Sequence, residues 1–95
     1  MSDEVFRAIG DPTRRIILDE LAARDGMTLF ELCTRLLTGH GSTLTRQAVS
    51  QHLAVLESAG LVRTERAGRT KLHHLDTSPL RSLLDRWLIP GQETP

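Results

Sequence analysis

The sequence predicts a mainly α-helical domain carrying one β-hairpin, and three observations support that reading. The apolar residues are chiefly Leu, Ala, Ile and Val, with no Tyr, two Phe and one Trp, which suits helix packing better than a sandwich of aromatic strands. Helix-start signals recur at Asp11-Pro12, Thr28-Leu29-Phe30-Glu31 and Thr45. Only over 61–75 does the pattern change to short, alternating, β-branched runs.

Taken in order, Val5, Phe6 and Ile9 define a short first helix ending at Gly10. Asp11 is a good N-cap before Pro12 at the first helical position, and the run that follows sets Ile17, Leu18 and Leu21 on one face before Asp25-Gly26 stops it. Thr28 and Glu31 have capping-box spacing and open a helix that turns Leu29, Leu32, Leu36 and Leu37 inward. A loop is expected over Thr38–Leu44, longer than a tight turn and holding two glycines and a histidine. Thr45 then caps a helix running to Ala59, with Gly60 as its left-handed stop. Leu61–Arg66 and Arg69–Leu75 read as a hairpin joined at Ala67-Gly68. Ser78-Pro79 opens a last helix with Leu80, Leu83, Leu84, Trp87 and Leu88 in an apolar stripe, ending at Pro90-Gly91. One domain is thus expected over 1–91, with a disordered tail at 92–95.

Charge and cysteine usage narrow the function classes. Net charge is zero, with 12 basic and 12 acidic residues, which counts against a protein that coats nucleic acid indiscriminately. The distribution is uneven: over 41–75, Arg46, Arg63, Arg66, Arg69 and Lys71 face only Glu57 and Glu65. The one cysteine, Cys33, has no disulfide partner, no run approaches the length of a membrane span, and the acidic start Asp3-Glu4 is unlike an export signal. A cytoplasmic protein with no membrane partner is expected.

On the helix after Thr45, Val49, Leu53 and Leu56 share one side, while Gln47, Ser50, Gln51 and Ala54 share the other. A solvated helix face normally carries Glu and Lys. This one is short, uncharged and rich in amides and hydroxyls, which suits hydrogen bonding to base edges in a DNA groove. The order of elements is that of a winged helix-turn-helix. The chain resembles the ArsR-type regulators through Ala8-Ile9-Gly10-Asp11-Pro12-Thr13-Arg14-Arg15-Ile16-Ile17-Leu18, through Ala48-Val49-Ser50-Gln51-His52-Leu53 with Leu56, and through Ala59-Gly60-Leu61-Val62 leading into the basic hairpin.

The resemblance implies a homodimer built from the first and last helices, here through Val5, Phe6, Ile9, Leu83, Leu84 and Trp87, bound to double-stranded DNA at an imperfect inverted repeat. Gln47, Ser50 and Gln51 are the expected base-reading residues. Thr45, Arg46 and His52 on the reading helix, and Arg66, Arg69 and Lys71 on the wing, are the expected backbone contacts. A dimer also suits the residues themselves, because a domain this short has little other means of burying an amphipathic end helix.

Several residues admit a plainer reading. Some ArsR-type sensors place two cysteines one residue apart where this chain has Cys33 and Arg35. One thiolate beside a cation is a poor soft-metal site, so Cys33 is expected to be packed, and no metal or other cofactor is expected. His52 lies between the buried and exposed faces, where a structural bond or a phosphate contact fits better than base reading. His73 and His74 point to opposite faces of a strand and cannot chelate together; they are expected to add pH-dependent charge near the wing. Arg14 and Arg15 sit where a helix dipole disfavours cations, so they either pair with Asp11, Asp19 or the first helix, or contact phosphate. The parts of an enzyme are missing, with no phosphate loop, ordered nucleophile or ligand cluster. The remaining rivals are a winged helix used for protein contacts and a metal-responsive repressor using Cys33. The sequence identifies no small-molecule effector.

Overall fold

In the computed structural model, residues 2–87 are described, and they form five helices and a two-stranded antiparallel sheet. The elements are α1 (Ser2–Ile9), α2 (Pro12–Ala23), α3 (Leu29–His40), α4 (Arg46–Ser58), β1 (Val62–Ala67), β2 (Thr70–Leu75) and α5 (Ser78–Trp87). Leu88, Pro90-Gly91 and the tail 92–95 lie outside the described residues.

Local chemistry sets most of the helix ends. The Asp11 carboxylate accepts the Arg14 N–H at 3.0 Å and opens α2 with Pro12 in its first turn. Thr28 and Glu31 form a reciprocal capping box at the start of α3, each side chain accepting the other's backbone N–H at 3.1 Å. Thr45 accepts the Ala48 N–H at 3.0 Å and opens α4. At the far end Gly60 takes φ 80°, while its N–H bonds the Glu57 carbonyl and the Leu61 N–H bonds the Leu56 carbonyl. This paired closure turns the chain sharply and buries Leu61.

Where the structure departs from the sequence expectations, the cause is tertiary or local bonding. The loop expected over 38–44 is shorter. Thr38 and Gly39 remain helical and α3 ends at His40, whose ring bonds Glu20 at 2.9 Å; Gly41, at φ 64°, then turns the chain. Leu37 is 57% exposed rather than inward, because Leu32 and Leu36 already fill the α3 side of the core. The hairpin turn falls one residue later than expected, at Gly68-Arg69, with Ala67 opposite Thr70. Gly68 has φ 67°, the conformation a two-residue turn needs at its first position. Asp76 accepts both the N–H and the hydroxyl of Ser78, so α5 is capped from Asp76-Thr77 and Ser78 is already helical.

One aliphatic core joins the elements. Ile17, Leu21, Met27, Leu32, Val49, Leu53, Leu56 and Leu61 lie within it, and Leu18 and Leu29 pack at its margin. Val5 and Leu83, expected on a dimer face, are 4% and 6% exposed and belong to this core instead. Their neighbours differ: Phe6, Leu84 and Trp87 are 47%, 56% and 60% exposed, and Ile9 is half-buried. The Phe6 and Trp87 rings meet at 6.3 Å, which joins α1 to α5 along an apolar strip.

Candidate nucleic-acid interface

The helix-turn-helix consists of α3, the connection 41–45 and α4. Burial of Val49, Leu53 and Leu56 fixes the rotation of α4, because these residues occur at helical spacing and meet the core together. Gln47, Ser50, Gln51 and Ala54 are consequently exposed on the opposite side. The structure thus brings together the three expected base-reading side chains on one solvent face, with the exposed Thr45 and Arg46 at its N-terminal end.

The wing lies beside that face. Arg66 is paired across the hairpin with Lys71, and Arg69 occupies the turn, so all three are exposed at its far end. A groove between the start of α3, α4 and the wing is lined by Thr28, Phe30, Arg46, Ser50, Arg69 and Lys71, among others. Among the described residues Arg46, Arg66, Arg69 and Lys71 form no ion pair, whereas Arg24 pairs with Glu31 at 2.9 Å and Arg35 with Glu20 at 2.6 Å. Arg24 and Arg35 are therefore satisfied internally, and the cations around the groove are available to an anion.

Two histidines hold the wing in place, a role the sequence reading missed. His73, expected to add surface charge, is buried, and its Nδ1 donates to the Met27 carbonyl at 2.9 Å. Backbone bonds between Met27 and His73 extend this link, fastening β2 to the segment before α3. His74 stands on the opposite face of the strand, with Nδ1 2.8 Å from Asp25 and Nε2 2.8 Å from Glu65. Carboxylates accept only, so both ring nitrogens must donate, and the ring is an imidazolium. The bond to Asp25 first, and that to Glu65 second, hold its pKa above the ordinary value. Asp25 is held below its ordinary value by His74 and by the Leu75 N–H, with a contribution from Arg63. The charge of His74 is thus taken up in joining the wing to the body. Nothing in the local sequence signals a bond between residues 49 positions apart.

Arg14 and Arg15 follow the plainer reading, by a route other than ion pairing. Arg14 donates to the carbonyls of Ala8 and Arg7 at 2.8 and 3.0 Å, and Arg15 donates to that of Ile9 at 2.7 Å. They cap the C-terminus of α1, where cations are favoured. Cys33 is half-buried against the core, and burial pushes its thiol up, with Arg46 acting in the opposite direction. A raised thiol is a poor source of thiolate.

A helix presenting amides and hydroxyls beside a basic wing defines the class: a winged helix-turn-helix protein that binds DNA. Comparison with known proteins gives the family. A family model described as a helix-turn-helix domain matches residues 9–65. The chain is 48% identical over 86 residues to the uncharacterised HTH-type transcriptional regulator YuzN of Bacillus subtilis, covering 90% of this chain and 94% of that protein. It is 31% identical over 87 residues to the transcriptional repressor SdpR of the same organism, covering 92% and 88%. An ArsR-like transcriptional regulator from Rhodococcus sp. RHA1 superposes with a TM-score of 0.76 at 31% identity, covering 88% of this chain and 71% of that one. The chain belongs to the ArsR family of winged helix-turn-helix transcriptional regulators. It is a DNA-binding regulator and not an enzyme. No described helix is long and apolar enough to cross a membrane.

Proposed function

We propose that the protein is a cytoplasmic, homodimeric repressor that binds an imperfect inverted repeat, reading bases with Gln47, Ser50 and Gln51 and holding phosphates with Thr45, Arg46, Arg66, Arg69 and Lys71. The observation that carries this reading is the uncharged, solvent-facing side of α4 at Gln47, Ser50 and Gln51, flanked by Arg46, Arg69 and Lys71 in one groove, where these cations form no ion pair with the described residues. Amides discriminate base edges, while cations neutralise phosphates whatever the sequence. The exposed strip of Phe6, Leu84 and Trp87 supplies the pairing surface, with Ile9 at its edge. A two-fold dimer sets half-site centres about one helical turn apart.

The test is a salt-titrated binding measurement on the DNA upstream of the protein's own gene and on a scrambled duplex of equal length. Tighter binding to the native DNA, a two-fold footprint and a steep salt dependence are expected. Equal affinity for both duplexes at every salt concentration would contradict sequence reading by α4.

We further propose that repression does not respond to metal through Cys33. The half-buried, raised thiol and the engagement of Arg35 by Glu20 support this. Cys33→Ser should leave DNA affinity unchanged with and without cadmium or arsenite. A metal-induced loss of binding in the parent that the substitution abolishes would reverse the assignment.

A further inference from the structure

The Arg14 side chain joins three helices at one point. While Nε and Nη2 close the C-terminus of α1, Nη1 lies 3.2 Å from Nδ1 of His52 on α4. A guanidinium offers five N–H donors and no acceptor, so His52 Nδ1 has to be the accepting atom. An imidazole that accepts at Nδ1 is neutral and carries its proton on Nε2. Asp11 stands 4.0 Å from Nδ1, beyond hydrogen-bond reach, and the same carboxylate oxygen already accepts the Arg14 backbone N–H.

The other ring nitrogen is left without a partner among the described residues. His52 is partly exposed, and its Nε2 makes no hydrogen bond with the described residues. No buried side-chain nitrogen or oxygen among those residues lacks a partner, so this Nε2 is in contact with solvent. His52 follows Gln51 on α4 and lies two turns from Thr45 on nearly the same side.

We propose that Arg14 is a positioning residue of the DNA interface: it holds neutral His52 as the Nε2–H tautomer, fixing an outward donor beside Gln51 for a DNA phosphate oxygen. The proposal rests on α4 being the groove-facing helix. Arg14 itself need not touch DNA. Its role is to remove the tautomeric choice of the ring and to fix the distance between α1 and α4.

Two measurements on the full chain test it. Long-range proton–nitrogen NMR correlation on ¹⁵N-histidine protein should show His52 as the Nε2–H tautomer, turning into a mixture in Arg14→Gln. In DNA binding, His52→Gln, whose amide nitrogen falls near the Nε2 position, should stay within about twofold of the parent. His52→Asn reaches only the Nδ1 position and should lose roughly tenfold, with the salt slope unchanged because a neutral donor is lost. If Arg14→Gln does not fold, the parent tautomer and the two His52 variants decide the matter. An Nδ1–H tautomer in the parent, or parent-like binding by His52→Asn, overturns the proposal. Gln51→Ala and Arg69→Ala are run alongside. If they weaken binding and His52→Asn does not, the groove assignment of α4 stands and the role of His52 falls; if none weakens binding, both fall.

Discussion

Two surfaces of the chain are left open in chemically opposite ways. Along α1 and α5 one open strip is apolar, with Phe6, Leu84 and Trp87 exposed beside a core that already encloses Val5 and Leu83. Across α4 and the wing it is polar, with amides flanked by cations that no carboxylate neutralises. An apolar strip is stabilised by removing water, and a row of cations by meeting a polyanion. In the proposed function the first face meets a second copy and the other meets DNA, so substitutions on the two should fail differently.

The largest effect belongs to neither surface. Leu56 is fully buried where α4 turns into the wing, so Leu56→Ala should cost about 2–5 kcal/mol in denaturant unfolding and weaken pairing and DNA binding together. A loss below about 1 kcal/mol would mean that the core does not set the rotation of α4.

Trp87→Ala should separate the surfaces. In a single chain the ring is mostly exposed, and its interaction with Phe6 is worth about 1 kcal/mol or less. In the proposed dimer, burial of the ring should make its removal cost about 2 kcal/mol or more of association. Sedimentation at graded concentrations should show the variant dissociating where the parent stays paired. A parent that is monomeric at micromolar concentration would remove the apolar half of the comparison.

The smallest expected effect is on pH. His74 is raised above its ordinary value of 6.5 by Asp25 and Glu65, so its contribution is complete below 6.5 and fades as pH rises through the raised value. Asp25 is lowered from 3.8, so its contribution is present above 3.8 and fades as pH falls through the lowered value. The wing should be held most firmly between these limits. Amide protection at β1 and β2, taken relative to the intrinsic base-catalysed exchange rate at each pH, should fall on the alkaline side in the parent and lose that extra pH dependence in His74→Gln.

How much of this was legible in the sequence depended on the range of the interaction. The caps at Asp11, Thr28 and Thr45 and the stop at Gly60 were readable because each involves neighbours within one turn. The two faces of α4 were readable because periodicity depends only on spacing. By contrast, the extension of α3 through Gly39 and His40 was not, since Glu20 on another helix holds His40 in place. The division of the end helices into core residues and exposed ones also escaped the pattern, because Val5 and Phe6 look alike until the helix is docked. His74 and Arg14 were opaque for the same reason: their partners are distant in the chain, and their charges looked available until bonded.

The central claim is that α4 reads bases and the wing holds the backbone. Its most direct test compares Gln51→Ala with Arg69→Ala on the native site and on random DNA across a salt series. Gln51→Ala should cost about 1–3 kcal/mol on the site and little on random DNA, with the salt slope unchanged. Arg69→Ala should weaken both alike and reduce the slope by roughly one unit for each phosphate no longer neutralised, or about two per dimer if both wings engage. If Gln51→Ala weakened random and native DNA equally, the assignment of α4 as the reading helix would be contradicted.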